Sequence, residues 1–157
     1  MKKQGFTLIE LMVVIVIMGI LAAVAVPKLF GMIAKSKASE VGPAAGTFVK
    51  LQEAYAAEKN AVGTWAQVGY KGPGSNAASG AASETSTFNY TGGEGTWQAA
   101  AKVALNDCTK GTWGVTTTYT SGDVTTTATI NDPTNCEAPL TPNFCRIATS
   151  GSCTSGS

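Results

Sequence analysis

The residue types that most often carry chemistry are unevenly placed in this chain of 157 residues. Histidine is absent, so the commonest general base and metal ligand is missing. All four cysteines lie in the last third of the chain, and their spacings do not form the close pairs of a zinc knuckle. An even number of cysteines behind an export-like N-terminus predicts two disulfide bonds formed in an oxidising compartment. These residues are Cys108, Cys136, Cys145 and Cys153.

Other signatures of catalysis and of phosphate or nucleic-acid binding are weak. Serines are abundant, but no histidine could activate one and no G-x-S-x-G motif occurs. The run Gly92-Gly93-Glu94-Gly95 lacks the lysine of a phosphate loop and predicts a turn. Without Lys2 and Lys3 the chain is nearly neutral, whereas phosphate binding needs a basic excess. We therefore predict no enzyme activity, no cofactor and no specific nucleic-acid partner.

Two further sets of side chains could bind a ligand, although each has a simpler interpretation. Four acids near the predicted sheet could hold calcium, but they form no tight cluster in the sequence, which favours solvated loop acids. Four large aromatic residues could stack on sugars, but in a small domain they more often form the core. The acids are Asp107, Asp123, Asp132 and Glu137, and the aromatic residues are Trp65, Tyr70, Trp97 and Trp113.

The N-terminal segment carries one carboxylate, Glu10, directly before an unbroken apolar run from Leu11 to Val26. Three interpretations compete. The first is a secretory signal cleaved after Ala25, the second is a plain membrane anchor, and the third is a prepilin. A carboxylate inside a membrane is costly unless it has a partner, so a disposable signal would have no use for it. Glu10 therefore favours the third interpretation.

This segment resembles the N-terminus of the type IV prepilin family. Lys2-Lys3-Gln4-Gly5 is similar to the short basic leader, and Phe6-Thr7-Leu8-Ile9-Glu10 is similar to the start of the mature chain. The resemblance implies cleavage after Gly5 by a prepilin peptidase and N-methylation of Phe6. It also implies an inner-membrane precursor, an assembly platform and a homo-oligomeric helical filament outside the cell. In that filament Glu10 would meet the Phe6 amine of a neighbouring copy and set the register of the subunits.

Two other functions remain open at this stage. A pseudopilin of a type II secretion system would share the fold and the N-terminal motif. A secreted carbohydrate-binding module would instead be released after Ala25 and would begin at Val26. The sequence alone does not decide between adhesion, motility, DNA uptake and conduction.

The predicted helix runs from about Phe6 to Asn60. Pro27 removes one backbone donor, and Gly42-Pro43 combines flexibility with a second missing donor, so we expect bends at both prolines. Beyond the apolar run, one face of this helix carries an apolar stripe that needs to be covered. The stripe consists of Phe48, Leu51, Tyr55 and Val62.

Period-two alternation predicts strands in the second half of the chain. One covers Trp97 to Leu105, with a helix as the rival, and a short strand near Phe88 is possible. Two more strands flank Ser121-Gly122, a plausible hairpin turn. If the chain folds there, opposed residues have numbers summing to 243, which brings the apolar residues of both strands to one side.

The same hairpin register places Cys108 near Cys136 and leaves Cys145 to pair with Cys153, although the other two pairings stay open. The fold class is α+β. The family resemblance implies a pilin fold, in which a long kinked N-terminal helix packs on an antiparallel sheet of about four strands. The expected segments are a leader (1–5), a polymerisation half-helix (6–30), an amphipathic half-helix (31–62), a loop (63–95), and a sheet with a disulfide-closed C-terminal loop (96–157).

Overall fold

The computed structural model describes residues 5–74 and 82–156. The chain divides between Ile33 and Ala34 into two compact units. The first unit holds the apolar part of helix α1, which runs from Leu8 to Ala38. The second unit, here called the head, holds the end of α1, helix α2 and the sheet. Every buried hydrophobic side chain that the structure describes belongs to the head.

Helix α2 spans Val41–Lys59 and begins after a two-residue turn at Ser39-Glu40. This interruption lies a few residues before Gly42-Pro43, where the sequence predicts a bend. Pro43 lies in the first turn of α2, where a backbone N–H would have no helical partner in any case. Pro27 lies inside α1, and the helix continues on both sides of it. Helix α2 ends at Lys59 and is capped by Asn60, whose φ of 55° is left-handed and whose N–H donates to the Ala56 carbonyl at 2.9 Å.

The buried face of α2 is rotated relative to the predicted stripe. Phe48 is buried as expected, but Leu51 and Tyr55 are only half-buried and Val62 lies beyond the helix. Alanines and one glutamine occupy much of the buried face, because small side chains let the helix approach the sheet closely. The buried residues are Val41, Ala44, Ala45, Phe48, Val49, Gln52 and Ala56.

The sheet confirms the α+β class, but it has six strands within the described part of the chain rather than about four. Neighbouring strands follow chain order, and all pairs are antiparallel except the last, which is parallel. The two extra strands, β1 and β6, have three residues each, too few for a periodic pattern. The strands are β1 (Ala82–Glu84), β2 (Phe88–Gly93), β3 (Thr96–Ala101), β4 (Thr112–Thr120), β5 (Asp123–Ile130) and β6 (Cys153–Ser155).

The central hairpin has the predicted register. Trp113 lies opposite Ile130, Val115 opposite Ala128, and Tyr119 opposite Val124. Ser121 and Gly122 both have positive φ, at 52° and 97°, as a tight hairpin turn of the primed type requires. The possible strand near Phe88 is also present as β2, so β1 and β2 lie inside the segment 63–95 that was expected to be a loop.

Strand β3 ends at Ala101, four residues earlier than predicted. Leu105 and Cys108 exchange backbone hydrogen bonds of 2.9 and 3.2 Å across a tight turn in which Asn106 has a φ of 58°. This turn takes the chain out of the sheet. The structure pairs Cys108 with Cys136, and Cys145 with Cys153, as the hairpin register led us to expect.

After β5 the chain makes short helical turns at Pro133–Glu137, Ala138–Leu140 and Phe144–Ile147 before it reaches β6. Leu140 and Phe144, which these turns carry, are buried in the same core as α2 and the inner side of the sheet. The largest fully buried side chains of that core are Trp65, Trp97, Trp113, Tyr90, Phe48 and Phe88.

Candidate assembly site

The junction between Gly5 and Phe6 lies in non-helical chain ahead of α1. Both residues are exposed, and Phe6 is 84% accessible. Among residues 5–74 and 82–156, no atom lies within 4 Å of a Cβ added at Gly5. The fold therefore makes no steric demand for glycine at this position. The junction has the exposed, irregular backbone that proteolysis generally requires.

Glu10 lies in the first turn of α1, where its carboxylate turns back to Thr7. Its Oε2 accepts hydrogen bonds from the Thr7 N–H at 2.8 Å and from the Thr7 hydroxyl at 2.6 Å. The Thr7 hydroxyl oxygen in turn accepts from the Glu10 N–H at 3.4 Å. This reciprocal arrangement is a capping box, which satisfies backbone donors that the start of a helix leaves open. The T-x-x-E spacing is visible in the sequence, so the contact was predictable, but our sequence analysis missed it.

The apolar part of α1 exposes its side chains on all sides. Large exposed apolar patches are rare on monomeric soluble proteins and mark surfaces that another molecule covers. By length and composition, the N-terminal helix is long and apolar enough to cross a membrane. The exposed apolar side chains are Leu8, Ile9, Leu11, Met12, Val13, Val14, Ile15, Val16, Ile17, Met18, Ile20, Leu21, Val24, Val26, Leu29, Phe30, Met32 and Ile33.

The structure distributes the predicted site residues between the two units. Gly5, Phe6, Glu10 and Pro27 belong to the first unit. Pro43 and the four cysteines belong to the head. The leader residues Lys2, Lys3 and Gln4 lie outside the described residues.

Two polar residues that hold the head together were also missed. Gln52 is fully buried, and its amide both accepts from the Gly63 N–H at 2.9 Å and donates to the Gly63 carbonyl at 2.6 Å. Glu40, at the break between the helices, accepts from the Tyr90 hydroxyl at 2.9 Å and the Thr85 hydroxyl at 2.7 Å. No local pattern in the sequence signals either contact, because the partners come from distant segments.

The four aromatic residues considered for stacking on sugars belong to the core. Trp65, Tyr70, Trp97 and Trp113 are each at most 3% exposed. Tyr70 contacts Trp65 with ring centroids 4.8 Å apart, and its hydroxyl accepts a hydrogen bond of 2.9 Å from the Trp97 indole. The structure therefore confirms the core interpretation and removes the aromatic platform for a carbohydrate-binding module.

The four acids considered for calcium are not gathered into a cluster within the described ranges. Asp107 accepts from the neighbouring Asn106 amide at 3.0 Å. Asp132 accepts from the Asn135 side-chain amide at 2.9 Å and from its N–H at 3.1 Å, and these bonds lower the pKa of Asp132. Glu137 lies close to Cys145 and Cys153, but the sulfurs of that pair are joined in a disulfide and are not thiolate ligands.

Comparison with known proteins bears directly on the N-terminal segment. Residues 1–26 match the family model of the prokaryotic N-terminal methylation motif. The chain is 42% identical over 59 residues to the type IV major pilin protein PilA of Myxococcus xanthus (strain DK1622), a match that covers 38% of this chain and 27% of that protein.

Two fimbrial proteins are similar over longer stretches. The fimbrial protein EcpC of Eikenella corrodens is 42% identical over 80 residues, or 51% of this chain and 46% of that protein. A fimbrial protein of Dichelobacter nodosus is 40% identical over 109 residues, or 67% of this chain and 61% of that protein. The chain thus spans between 27% and 61% of the length of these relatives. In its methylation motif, in its pilin and fimbrial relatives and in its architecture of a long helix followed by a sheet, this chain is similar to the type IV pilins.

Proposed function

We propose that this chain is a structural subunit of a type IV pilus. In this proposal the precursor is held in the inner membrane by the apolar part of α1. A prepilin peptidase cleaves it after Gly5, Phe6 is N-methylated, and an assembly platform adds the mature chain to a helical filament outside the cell. The names of the relatives, which are pilin and fimbrial proteins, favour a pilus over a secretion pseudopilus.

The observation that carries the proposal is the exposure of apolar side chains all around α1 up to Ile33. Such a surface is unfavourable in water in proportion to its apolar area. Lipid chains would cover it in the precursor, and the same helices of other copies would cover it in a filament. Both environments are apolar, so the helix can pass from one to the other without exposing this surface to water.

Glu10 favours the filament over the lipid as the environment of α1. A carboxylate surrounded by hydrocarbon is strongly penalised unless a cation pairs with it. Cleavage after Gly5 creates an amine on Phe6, and the Phe6 amine of a neighbouring copy is the proposed partner. A copy in the wrong register would leave Glu10 unpaired, so the charge selects the correct register.

The capping box also suggests a sharper experiment than Glu10→Ala alone. Glutamine can replace glutamate in a capping box, so Glu10→Gln removes the charge and keeps the helix cap. Thr7→Ala does the reverse, because it removes the capping hydroxyl and keeps the charge. We expect Glu10→Gln and Glu10→Ala to reduce the filament yield at least about tenfold. Each variant leaves the Phe6 amine of the neighbouring copy without a carboxylate partner, which disfavours the packed register. We expect Thr7→Ala to assemble like the wild type.

Filament yield is measured by shearing cells and by electron microscopy, and leader removal is measured by mass spectrometry of the N-terminus. All three variants should have the leader removed as in the wild type. If Glu10→Gln assembles normally while Thr7→Ala fails, Glu10 acts as a helix cap and the register proposal is wrong.

The same mass spectrum tests the processing step. A mature chain that starts at methylated Phe6 supports the proposal, whereas a chain that starts at Val26 indicates a secreted module. Gly5→Ala has room in the fold and can remain a substrate, so a bulkier residue at position 5 is the better test of peptidase recognition. We expect Gly5→Val to leave the precursor uncut. Microscopy of the cell surface separates a pilus from a short periplasmic pseudopilus.

A further inference from the structure

The sheet of the head has a polar outer face, defined here as the face opposite the buried side chains that pack beneath α2. Along β4 and β5 the outward positions are mostly threonine. These threonines lie opposite one another across the strands, with Thr116 opposite Thr127 and Thr118 opposite Thr125. They are exposed, so this face presents regularly spaced hydroxyl groups to solvent.

A gap interrupts this face at Gly114, near the start of β4. The register places Thr91, Gln98, Gly114 and Thr129 in one row across β2 to β5. Gln98 and Thr129 are therefore two strand spacings apart, about 9–10 Å, with no side chain between them. The resulting concavity has a volume of about 280 Å³. Glycine inside a strand often marks a place where another molecule approaches the backbone closely.

Several polar side chains around this gap make no hydrogen bond to the described part of the chain. Within residues 5–74 and 82–156, the hydroxyls of Thr91, Thr116 and Thr129 and the amide of Gln98 make no hydrogen bond to the protein. The backbone of β3 and β4, in contrast, is paired on both sides of the gap. A peptide strand therefore cannot add at this position, and recognition would have to use the side chains.

We propose that the gap over Gly114 binds a single neutral sugar ring. Hydroxyl and amide groups both donate and accept hydrogen bonds, which matches the hydroxyl groups of a sugar. Among the described residues, no charged side chain lines the concavity, so neither an anion nor a cation would find a counter-charge there. Its volume lies just below the range of typical small-molecule sites, which limits the ligand to about one ring. A shallow polar site of this kind binds with millimolar affinity.

Sugar binding at this gap does not depend on filament assembly. The site lies wholly in the head, and it uses none of the buried aromatic residues. It can be tested on the full chain in a zwitterionic detergent, which avoids the sugar headgroups of glycoside detergents.

The probes are methyl α-D-glucopyranoside, methyl β-D-galactopyranoside and N-acetyl-D-glucosamine, titrated into isotope-labelled protein. The readouts are the NMR signals of the Gly114 amide and of the Gln98 side-chain amide. We expect at least one probe to shift these signals saturably at millimolar concentration, and glycerol to cause no saturable shift. The absence of a saturable shift with all three sugars would overturn the proposal. So would an equal response to glycerol, or a preference for the anionic sugar N-acetylneuraminic acid.

Gly114→Thr is the decisive variant. It fills the gap with a residue that strands favour, and the added Cβ would lie 2.5 Å from the Thr129 hydroxyl and 3.9 Å from the Thr129 Cβ, so the Thr129 hydroxyl has to rotate away. We expect at least about tenfold weaker binding with an unchanged thermal unfolding midpoint. Thr129→Val, which removes one hydroxyl at the edge of the gap, should weaken binding about fivefold.

Thr118→Val is the matched control, because it removes an outer-face hydroxyl away from the gap and should leave binding unchanged. Unchanged binding in a folded Gly114→Thr variant would show that the sugar binds elsewhere. If the same signals shift with protein concentration and without sugar, the gap is a contact between copies and the proposal is wrong.

Discussion

At the scale of single residues, the stability of the head depends on whether each buried polar group has a hydrogen-bond partner. The Thr117 side chain is 1% exposed, and its hydroxyl has no hydrogen-bond partner within the part of the chain that the structure describes. The Thr141 hydroxyl, in contrast, accepts from the Trp113 indole at 2.9 Å and donates to the Cys136 carbonyl at 3.4 Å. Substitution of threonine by valine should therefore change the stability in opposite directions at these two positions.

We expect Thr117→Val to raise the free energy of unfolding by about 1 kcal/mol, because valine of similar shape removes an unsatisfied buried hydroxyl. Thr141→Val should lower it by about 1–3 kcal/mol, because the buried indole N–H of Trp113 loses its acceptor. Urea unfolding of both variants measures these changes. A loss of stability in Thr117→Val as large as in Thr141→Val would mean that the Thr117 hydroxyl is satisfied in solution.

Two buried tyrosines make the head sensitive to alkaline pH. Burial raises the pKa of Tyr70 from its usual 10.0 to about 12, and the indole N–H that Trp97 donates lowers it in part. Burial also raises the pKa of Tyr90 strongly, and the hydrogen bond to the Glu40 carboxylate raises it further. Both phenols have a higher pKa in the folded chain, so their contribution is complete below pH 10 and is lost as the pH rises toward the folded-state pKa values.

The free energy of unfolding should therefore be flat near pH 9 and should fall above pH 10. Each phenol should contribute at most about 1 kcal/mol per pH unit once solvent screening is allowed for. Urea unfolding at a series of pH values, with tyrosinate absorbance recorded in parallel, gives this slope. Tyr70→Phe and Tyr90→Phe should each make it shallower. An unchanged slope in both variants would show that Tyr70 and Tyr90 do not cause the loss of stability above pH 10.

At the scale of elements, the two disulfides stabilise different parts of the head. Cys108–Cys136 joins residues 28 positions apart and is buried, whereas Cys145–Cys153 spans 8 positions, ties β6 to the preceding turn and leaves Cys153 half-buried. In the chain-entropy model the longer loop contributes about 1 kcal/mol more stability than the shorter one.

Reduction of a disulfide requires access of a thiolate to sulfur. We therefore expect mild reductant to open Cys145–Cys153 first, and Cys108–Cys136 only when the head unfolds. Alkylation of the freed thiols followed by peptide mass spectrometry gives the order. Replacing Cys108 and Cys136 by serine should cost about 3.6 kcal/mol, against about 2.5 kcal/mol for the other pair. Simultaneous opening of both bonds would show that β6 cannot detach on its own.

At the scale of the whole molecule, the two units place their apolar residues in opposite ways. The first exposes them along α1, and the head buries them between α2 and the sheet. A chain that begins at Ala34 keeps every buried hydrophobic side chain that the structure describes. We expect this truncated chain to be monomeric in water without detergent and to form both disulfides.

Size-exclusion chromatography and circular dichroism test this prediction, and the full chain should need detergent under the same conditions. Phe48→Ala in the truncated chain is the control, since it should cost about 3–5 kcal/mol by opening a cavity in the core. Aggregation of the truncated chain, or a disordered spectrum, would contradict the independence of the head.

The sequence by itself determined the features that depend on neighbours along the chain. Uninterrupted apolarity predicted α1, alternation and Ser121-Gly122 predicted the central hairpin and its register, and that register brought Cys108 to Cys136. The methylation motif is likewise a contiguous pattern. Such features follow from local periodicity and turn geometry, so no distant contact is needed to specify them.

Only the tertiary structure decided which polar groups are buried and where elements stop. Gln52 is buried because Gly63 satisfies both ends of its amide, and β3 ends early because the turn at Asn106 carries Cys108 toward its partner. Strand β6 is too short to be predicted and exists through pairing with β5. The gap over Gly114 likewise arises only when three neighbouring strands are aligned. These features depend on contacts between distant segments, whose free energies no local pattern contains.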